Sequence, residues 1–178
     1  MAEKRSYVRT DLIVISATPE SIISGELDEE ILSRMRAVIE TEGPVMEELL
    51  FKRVLNSLSL SKLGSRLLPV FQRLSGDFEK TADRGSFVYH NGKEEDFFRP
   101  SPDSADRYSY QIPTDEAAVC LEYILSSEEH TLTKSELLRR FRREMGYERA
   151  GSQVENLFNA ACKSGRIVRT GNGRFRHI

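Results

Sequence analysis

The apolar positions of the chain fall into two similar series of helical stripes. Within residues 50–58, and again within residues 137–145, every fourth residue is apolar. This period places the apolar side chains on one face of an α-helix, which then packs against a core. Each half of the chain therefore predicts an amphipathic helix at the same place in its sequence.

A further helix is predicted after each of these, at a phrase that the chain repeats. KLGSRLLPVF precedes an apolar series at i, i+3, i+4 and i+7 within residues 67–74, and RAGSQVENLF precedes the same series within residues 154–161. The glycine of each phrase can turn the chain, and Ser65 and Ser152 are the expected N-caps. Pro69 removes an early amide donor, so we expect the first copy of this helix to begin late or to kink.

The two series belong to one longer internal similarity. Displacing the chain by 87 positions aligns residues 28–74 with residues 115–161 without a gap and gives eight identities. Both copies open with an acidic helix start, at which Asp28 and Thr114 are the expected caps. The pattern predicts a duplicated structural unit.

A β-hairpin is predicted after the last helix of each copy, in residues 75–87 and 164–175. Gly171, Asn172 and Gly173 separate two short apolar runs, and Gly and Asn accept the positive φ of tight hairpin turns. Three helices followed by a hairpin is the order of a winged helix. The expected fold is mainly α with small β-hairpins, an α+β chain of two tandem winged-helix-like units.

The domain boundaries follow from these elements and from composition. We expect an N-terminal extension at 1–26 with a strand near 7–16, a first unit at 27–90, a linker at 91–112 and a second unit at 113–178. The linker is rich in charge, Pro, Ser and Asp, yet it contains four large aromatic residues that favour partial packing. These are Phe97, Phe98, Tyr108 and Tyr110.

Charge is distributed unevenly along the chain. Residues 131–178 carry eleven Lys and Arg against four Glu, a net of +7, whereas residues 1–130 carry fifteen basic and twenty-four acidic residues, a net of −9. A basic C-terminal region favours an anionic partner, either nucleic acid or an acidic protein surface.

Several function classes lack their sequence signals. The chain has no nucleophile elbow, phosphate-binding loop, dinucleotide fingerprint or zinc-protease motif, so we expect no catalytic residues, no cofactor and no small-molecule substrate. Cys120 and Cys162 lack metal or redox spacing and predict buried, reduced thiols; the three scattered histidines predict no metal site. Without a secretory signal or a membrane-spanning run, the expected location is the cytoplasm, with no membrane partner.

Nucleic acid is the partner that the second unit favours. Gln and Asn side chains can pair with adenine, and Arg and Lys contact phosphate, when the last helix and the wing of a winged helix face DNA. The candidate contact residues are Arg139, Arg143, Arg149, Gln153, Asn156, Asn159, Lys163, Arg166, Arg169, Arg174 and Arg176. The DNA is either double- or single-stranded. The alternative is a protein-interaction module, since arginine-rich helices are often solvated surface and Glu155 opposes phosphate.

A family resemblance points the same way. The segments EGPV at 42–45, ELLFKR at 48–53, IPTDEAA at 112–118 and GYERAGSQV at 146–154 resemble the uncharacterised C-terminal domain of large bacterial superfamily 1 helicase-like proteins. Those proteins commonly also carry a Vsr-like nuclease domain. The resemblance implies a non-catalytic accessory to DNA processing and a helicase or nuclease as a partner; the alternative is a module that docks on such an enzyme or self-associates.

Overall fold

The computed structural model describes residues 1–88, 96–101 and 106–178. The chain divides into two compact units. Val8–Lys93 forms the N-terminal unit, and Glu94–Ile178 together with Met1–Tyr7 forms the C-terminal unit. Each is an α+β unit in which short strands accompany a set of helices.

The described residues form seven α-helices and seven short strands. The helices are α1 Pro19–Ile23, α2 Asp28–Glu42, α3 Glu47–Ser57, α4 Leu68–Leu74, α5 Thr114–Ser126, α6 Lys134–Met145 and α7 Ser152–Ala161. The strands are β1 Glu3–Lys4, β2 Val45–Met46, β3 Lys80–Ala82, β4 Ser86–Val88, β5 Phe97–Phe98, β6 Ile167–Arg169 and β7 Phe175–His177. None of these helices combines the length and the hydropathy that a bilayer crossing requires.

The N-terminal unit packs α2, α3 and α4 against a three-stranded antiparallel sheet. Its strand order is β2-β4-β3, so β2, which lies between α2 and α3, pairs with the second strand of the hairpin. The predicted apolar stripe of α3 is fully buried, and the rings of Phe51 and Phe71 meet edge to face with centroids 5.5 Å apart. Helix packing on the hairpin thus supplies the core of this unit.

The C-terminal unit packs α5, α6 and α7 in a similar way. The hairpin strands β6 and β7 are antiparallel, and Leu132, between α5 and α6, forms a bridge to Phe175 of β7. A second, parallel pair joins β1 to β5. The core is larger here, and Phe98, Phe141 and Phe158 are almost completely buried in it.

Both units have the same order of elements from α2 and α5 onward: a helix, a short extended segment, two helices and a hairpin. In both, the extended segment pairs with the second hairpin strand. Val45 lies opposite Val88, and Leu132 lies opposite Phe175. Each residue of the second pair therefore follows its counterpart in the first pair by 87 positions.

The strand that the sequence predicts within residues 7–16 is wrong. This segment has no strand assignment; instead, its Ile15 amide and the following Ala17 amide donate to the carbonyl oxygens of Ser57 and Leu58 at 2.9 and 3.1 Å. The apolar residues of this segment resemble a strand pattern, but the segment lies along the end of α3 and bonds to helix carbonyls and side chains instead of to another strand.

The predicted caps Asp28, Thr114 and Ser152 are also wrong, because each is the first residue of its helix and the preceding residue occupies the cap position without a side-chain hydrogen bond. The predicted cap Ser65 is wrong as well, because Leu67 occupies the cap position of α4. A capping box forms instead at Thr133 and Glu136, at the start of α6. The prediction for Pro69 is confirmed: α4 begins at Leu68, with the proline in its first turn.

The predicted linker contains residues of different burial. Phe97 and Phe98 are buried in β5, and the rings of Tyr108 and Tyr110 stack with centroids 5.8 Å apart. Tyr108 nevertheless remains half exposed. The other parts of the linker prediction, at 91–95 and 102–105, lie outside the described residues, as do the last two positions predicted for the first unit.

Candidate nucleic-acid interface

Helix α7 separates its apolar and polar residues as predicted. Val154, Leu157, Phe158 and Ala161 are buried, whereas Gln153, Asn156 and the following Lys163 are exposed and Asn159 is half-buried. Within the described part of the chain, the exposed amides of Gln153 and Asn156 have no side-chain hydrogen bond. They are therefore available to an external partner.

The ends of α6 hold the loop that leads into this helix. Thr133 Oγ1 accepts a hydrogen bond from the Glu136 amide at 3.3 Å, and the Glu136 carboxylate accepts from the Thr133 amide at 2.8 Å. The Thr133 hydroxyl also donates to this carboxylate, at 2.7 Å, and the bonds from the Thr133 amide and hydroxyl lower the pKa of Glu136 from its ordinary value. At the other end Gly146, with φ of 83°, turns the chain in the left-handed conformation that suits glycine, and Tyr147 follows it into the core.

Three of the predicted arginines lie on α6 and the α6–α7 loop. Arg139, Arg143 and Arg149 are all exposed. Arg143 has one loose contact, 3.8 Å from Glu144, and no ion pair to a described residue is found for Arg139 or Arg149. Arg140, in contrast, pairs with Glu128.

The hairpin contributes two further exposed arginines, Arg169 on β6 and Arg176 on β7. Neither forms an ion pair within the described ranges of the chain. The turn between the strands closes with a hydrogen bond from the Gly173 amide to the Thr170 carbonyl at 2.9 Å, and Gly173 takes a φ of 78°. Arg174 differs: it donates to the side chain and the carbonyl of Thr131 at 2.8 and 2.7 Å.

Arg166 is engaged inside the C-terminal unit. Its guanidinium lies 2.7 Å from Asp115, 3.1 Å from Asp96 and 3.2 Å from Glu122. The hydrogen bonds that Arg166 donates to Asp115 raise the pKa of Arg166 further above its ordinary value, and the other two carboxylates add to this effect. Because three acidic groups surround Arg166, its structural role is to tie the start of the hairpin to α5 and to the segment before β5.

A buried charge cluster beneath β5 was not predicted. Arg99 and Arg107 both contact Glu116 of α5, at 3.0 Å and 2.8 Å, and all three side chains are buried. Burial alone would raise the pKa of Glu116, but the charges of Arg107 and Arg99 outweigh it and lower the pKa to about 2. Tyr7 lies 4.6 Å from the Arg107 guanidinium, measured to the ring centroid. The partners are too far apart in sequence for any local pattern to reveal them.

The thiols and other titratable residues form no second site. Cys120 is buried as expected, but Cys162 is only half-buried; burial raises its pKa to about 11. Both cysteines are free. Across the described ranges, no group of His, Cys, Asp and Glu side chains is arranged to bind a metal ion.

Comparison with known proteins reaches only the N-terminal unit. Residues 21–68 match the model of a protein family of unknown function, DUF3320. This match runs from within α1 to the start of α4 and supports the presence of an uncharacterised domain there. No curated protein and no solved structure shows significant similarity to the chain.

Proposed function

We propose that the chain is a tandem winged-helix protein that arose by internal duplication. A winged helix places a short strand between its first and second helices and pairs it with the second strand of the hairpin. Both units have this connectivity and the same strand order. The displacement by 87 positions that aligns their sequences also relates the Val45–Val88 pair to the Leu132–Phe175 pair.

A second correspondence supports the duplication. Arg53 of α3 and Arg140 of α6 are identical residues in the internal alignment, and each forms an ion pair with a glutamate near the end of the preceding long helix; the alignment pairs Glu42 with Glu129, the residue next to Glu128. Glu42 ends α2, and Glu128 follows α5 by two residues. A shared ion pair between equivalent elements is expected of two copies of one ancestral unit.

The proposed function is non-catalytic DNA binding by the C-terminal unit. The observation that carries it is a set of exposed or half-buried cations and amides on α6, α7 and the hairpin, which have no ion pair with a described residue apart from the loose contact of Arg143 with Glu144. Arginine and lysine without an internal acid can neutralise phosphate, and unpaired Gln and Asn can reach base edges. The proposed contact residues are Arg139, Arg143, Arg149, Gln153, Asn156, Asn159, Lys163, Arg169 and Arg176. Arg166 and Arg174 are assigned instead to holding the hairpin.

The proposed setting is an accessory role beside a DNA-processing enzyme in the cytoplasm. It is supported by the sequence resemblance to the C-terminal domain of helicase-like proteins. A helicase or nuclease is the proposed partner.

A salt-dependent titration tests DNA binding. Labelled duplex and single-stranded DNA are titrated with the full chain at about 50 mM and about 200 mM salt, and fluorescence anisotropy is measured. A complex with six or more phosphate contacts weakens by about 10³-fold or more over this range. Absence of binding to either DNA form at low salt would overturn the proposal.

Paired variants locate the interface. Arg169→Ala and Arg176→Ala each remove an exposed arginine without an ion pair, so each should reduce the slope of log affinity against log salt by about one. Arg36→Ala in the N-terminal unit removes an equally exposed arginine and is the matched control, which should leave the slope unchanged. If all three variants bind as the unmodified chain does, the hairpin is not the contact surface.

A further inference from the structure

A groove lies between α3 and α4 of the N-terminal unit. Its volume is about 300 Å³, and Phe51, Leu55, Leu63 and Leu68 form its apolar lining. Leu68 is 37% exposed, which is high for a large apolar residue on a helix. The groove is thus open to solvent along an apolar wall.

Two charged residues flank this wall on α3. Glu48 and Lys52 stand one turn apart, both are exposed, and neither forms an ion pair with a described residue. A partner with a basic residue facing Glu48 and an acidic residue facing Lys52 would complement this pair, whereas the reverse order would place like charges together.

The equivalent groove in the C-terminal unit has a different character. It lies between α6 and α7, has a volume of about 240 Å³ and is lined by Lys134, Ser135, Leu138, Glu155, Phe158 and Asn159. Glu155 occupies the position of Leu68, and Ser135 that of Glu48. The apolar wall is therefore a property of the N-terminal copy and not a general feature of the duplicated unit.

The same unit exposes an apolar segment before its first helix. Ile13 is 82% exposed and Val14 is 66% exposed. Arg9, Asp11 and Ile13 are exposed while Thr10 and Leu12 are half-buried, so alternate side chains point outward. Neither Arg9 nor Asp11 forms an ion pair with a described residue. Among its outward side chains, which also include Val8 and Val14, Arg9, Asp11 and Ile13 thus place a base, an acid and an apolar residue at alternate positions.

This segment is held away from the groove of its own copy. It lines a separate cleft with Arg53, Asn56 and Ser57 of α3. At 100° per residue, Arg53 lies about 200° around the helix from Phe51. The Ile15 and Ala17 amides fix the segment on that far side through the Ser57 and Leu58 carbonyls. An occupant of the groove with this chemistry must therefore come from another molecule.

We propose that the groove binds the exposed segment of a second copy of the chain. Ile13 of one copy enters the apolar wall beside Leu68 of the other, Arg9 faces Glu48 and Asp11 faces Lys52. Alternate residues of an extended segment are about 6.6 Å apart, close to the rise of about 6.0 Å between Glu48 and Lys52 on their helix. A two-fold dimer forms this contact twice, since each copy offers both a segment and a groove. The proposal does not depend on DNA binding.

Sedimentation velocity of the full chain from about 1 µM to about 1 mM tests the proposal. The expected result is a monomer–dimer equilibrium that Leu68→Glu and Ile13→Glu each weaken by at least about tenfold, because each buries a charge in an apolar contact. Ile23→Glu changes a residue of the same unit that is 39% exposed, and Ile178→Glu changes one that is 70% exposed; both controls should leave the equilibrium unchanged. Circular dichroism verifies that each variant is folded.

A mixing experiment distinguishes this contact from any other dimer. A mixture of the Leu68→Glu and Ile13→Glu variants retains one intact groove and one intact segment, so it should dimerise more strongly than either variant alone. A chain that is monomeric throughout, a dimer unaffected by both variants, or a mixture that behaves as its components would each overturn the proposal. A monomer that still binds DNA would overturn it while leaving the proposed function in place.

Discussion

At the scale of single residues, the cluster of Arg99, Arg107 and Glu116 decides how the segment around β5 is attached to α5. Two guanidinium groups share one carboxylate in a buried site, with the ring of Tyr7 against Arg107. Ion pairs of this kind give little net stability compared with apolar packing, but removing one partner leaves an uncompensated buried charge. Glu116 is the sensitive position, since both arginines depend on it.

Glu116→Gln should therefore lower the free energy of unfolding of the C-terminal unit by about 3–5 kcal/mol. Urea denaturation, with hydrogen exchange of the amides of that unit as the readout, measures this change in the free energy of unfolding. Glu129→Gln is the matched control: Glu129 is exposed, forms no ion pair with a described residue, and should alter stability by less than about 0.5 kcal/mol. Equal effects of the two substitutions would show that the cluster does not hold the segment.

The same carboxylate predicts how stability depends on pH. Its pKa is about 2 in the folded protein, below the ordinary value of 4.5, so the unfolded chain binds the proton first as pH falls. The contribution of Glu116 is fully present above pH 4.5 and is lost between pH 4.5 and 2. Stability measured across this window should fall more steeply for the unmodified chain than for Glu116→Gln. Parallel pH profiles would contradict the assignment.

At the scale of elements, the sequence predicted the helices better than their ends. Apolar stripes at helical spacing predicted α3, α6 and α7 because the residues on the buried face of a helix lie within a short stretch of sequence. Caps were harder, since Asp28, Thr114 and Ser152 are all good capping residues that instead begin their helices. The segment at 7–16 failed for a related reason: a strand needs a partner, and no local pattern shows whether one exists.

The capping box at the start of α6 gives a prediction for this scale. Thr133→Ala removes the acceptor for the Glu136 amide and should lower the free energy of unfolding by about 1 kcal/mol. It should also move the pKa of Glu136 part of the way back toward its ordinary value, because it removes the hydrogen bond from the Thr133 hydroxyl but keeps the larger effect of the Thr133 amide. Thermal unfolding and an NMR titration measure the two effects. Ser135→Ala, at an exposed position in the same turn, should change neither; a similar loss in both would argue against the cap.

At the scale of the whole molecule, the candidate interface could be predicted only in part. The exposure of Gln153 and Asn156 follows from the local stripe of α7, so sequence alone identified them. The fate of the arginines depends on distant residues: Arg166 meets carboxylates 44 to 70 positions away, whereas Arg169, three residues on, meets none in the described chain. Arginines that look alike in sequence thus divide into structural and exposed groups through long-range contacts.

The first seven residues illustrate the same point, because they belong to the unit formed by the end of the chain. β1 pairs with β5, and Lys4 forms an ion pair with Glu144 at 2.9 Å. Tyr7 lies against both arginines of the buried cluster, 4.6 and 5.2 Å from their guanidinium carbons. The N-terminal unit is therefore inserted between two parts of the C-terminal unit.

Deletion of residues 2–7 should consequently destabilise the C-terminal unit, most of which is far away in sequence, and spare the N-terminal unit, which follows these residues directly in sequence. Loss of the β1 strand exposes backbone groups of β5 and one side of the cluster, so amides of α5 and β5 should exchange faster with solvent, while those of α2 and α3 keep their protection. Hydrogen exchange resolved by residue measures both units in one sample. Tyr7→Phe, which retains the ring, is the conservative control and should largely preserve protection. Faster exchange confined to α2 and α3 would show that residues 2–7 stabilise the N-terminal unit and not the C-terminal one.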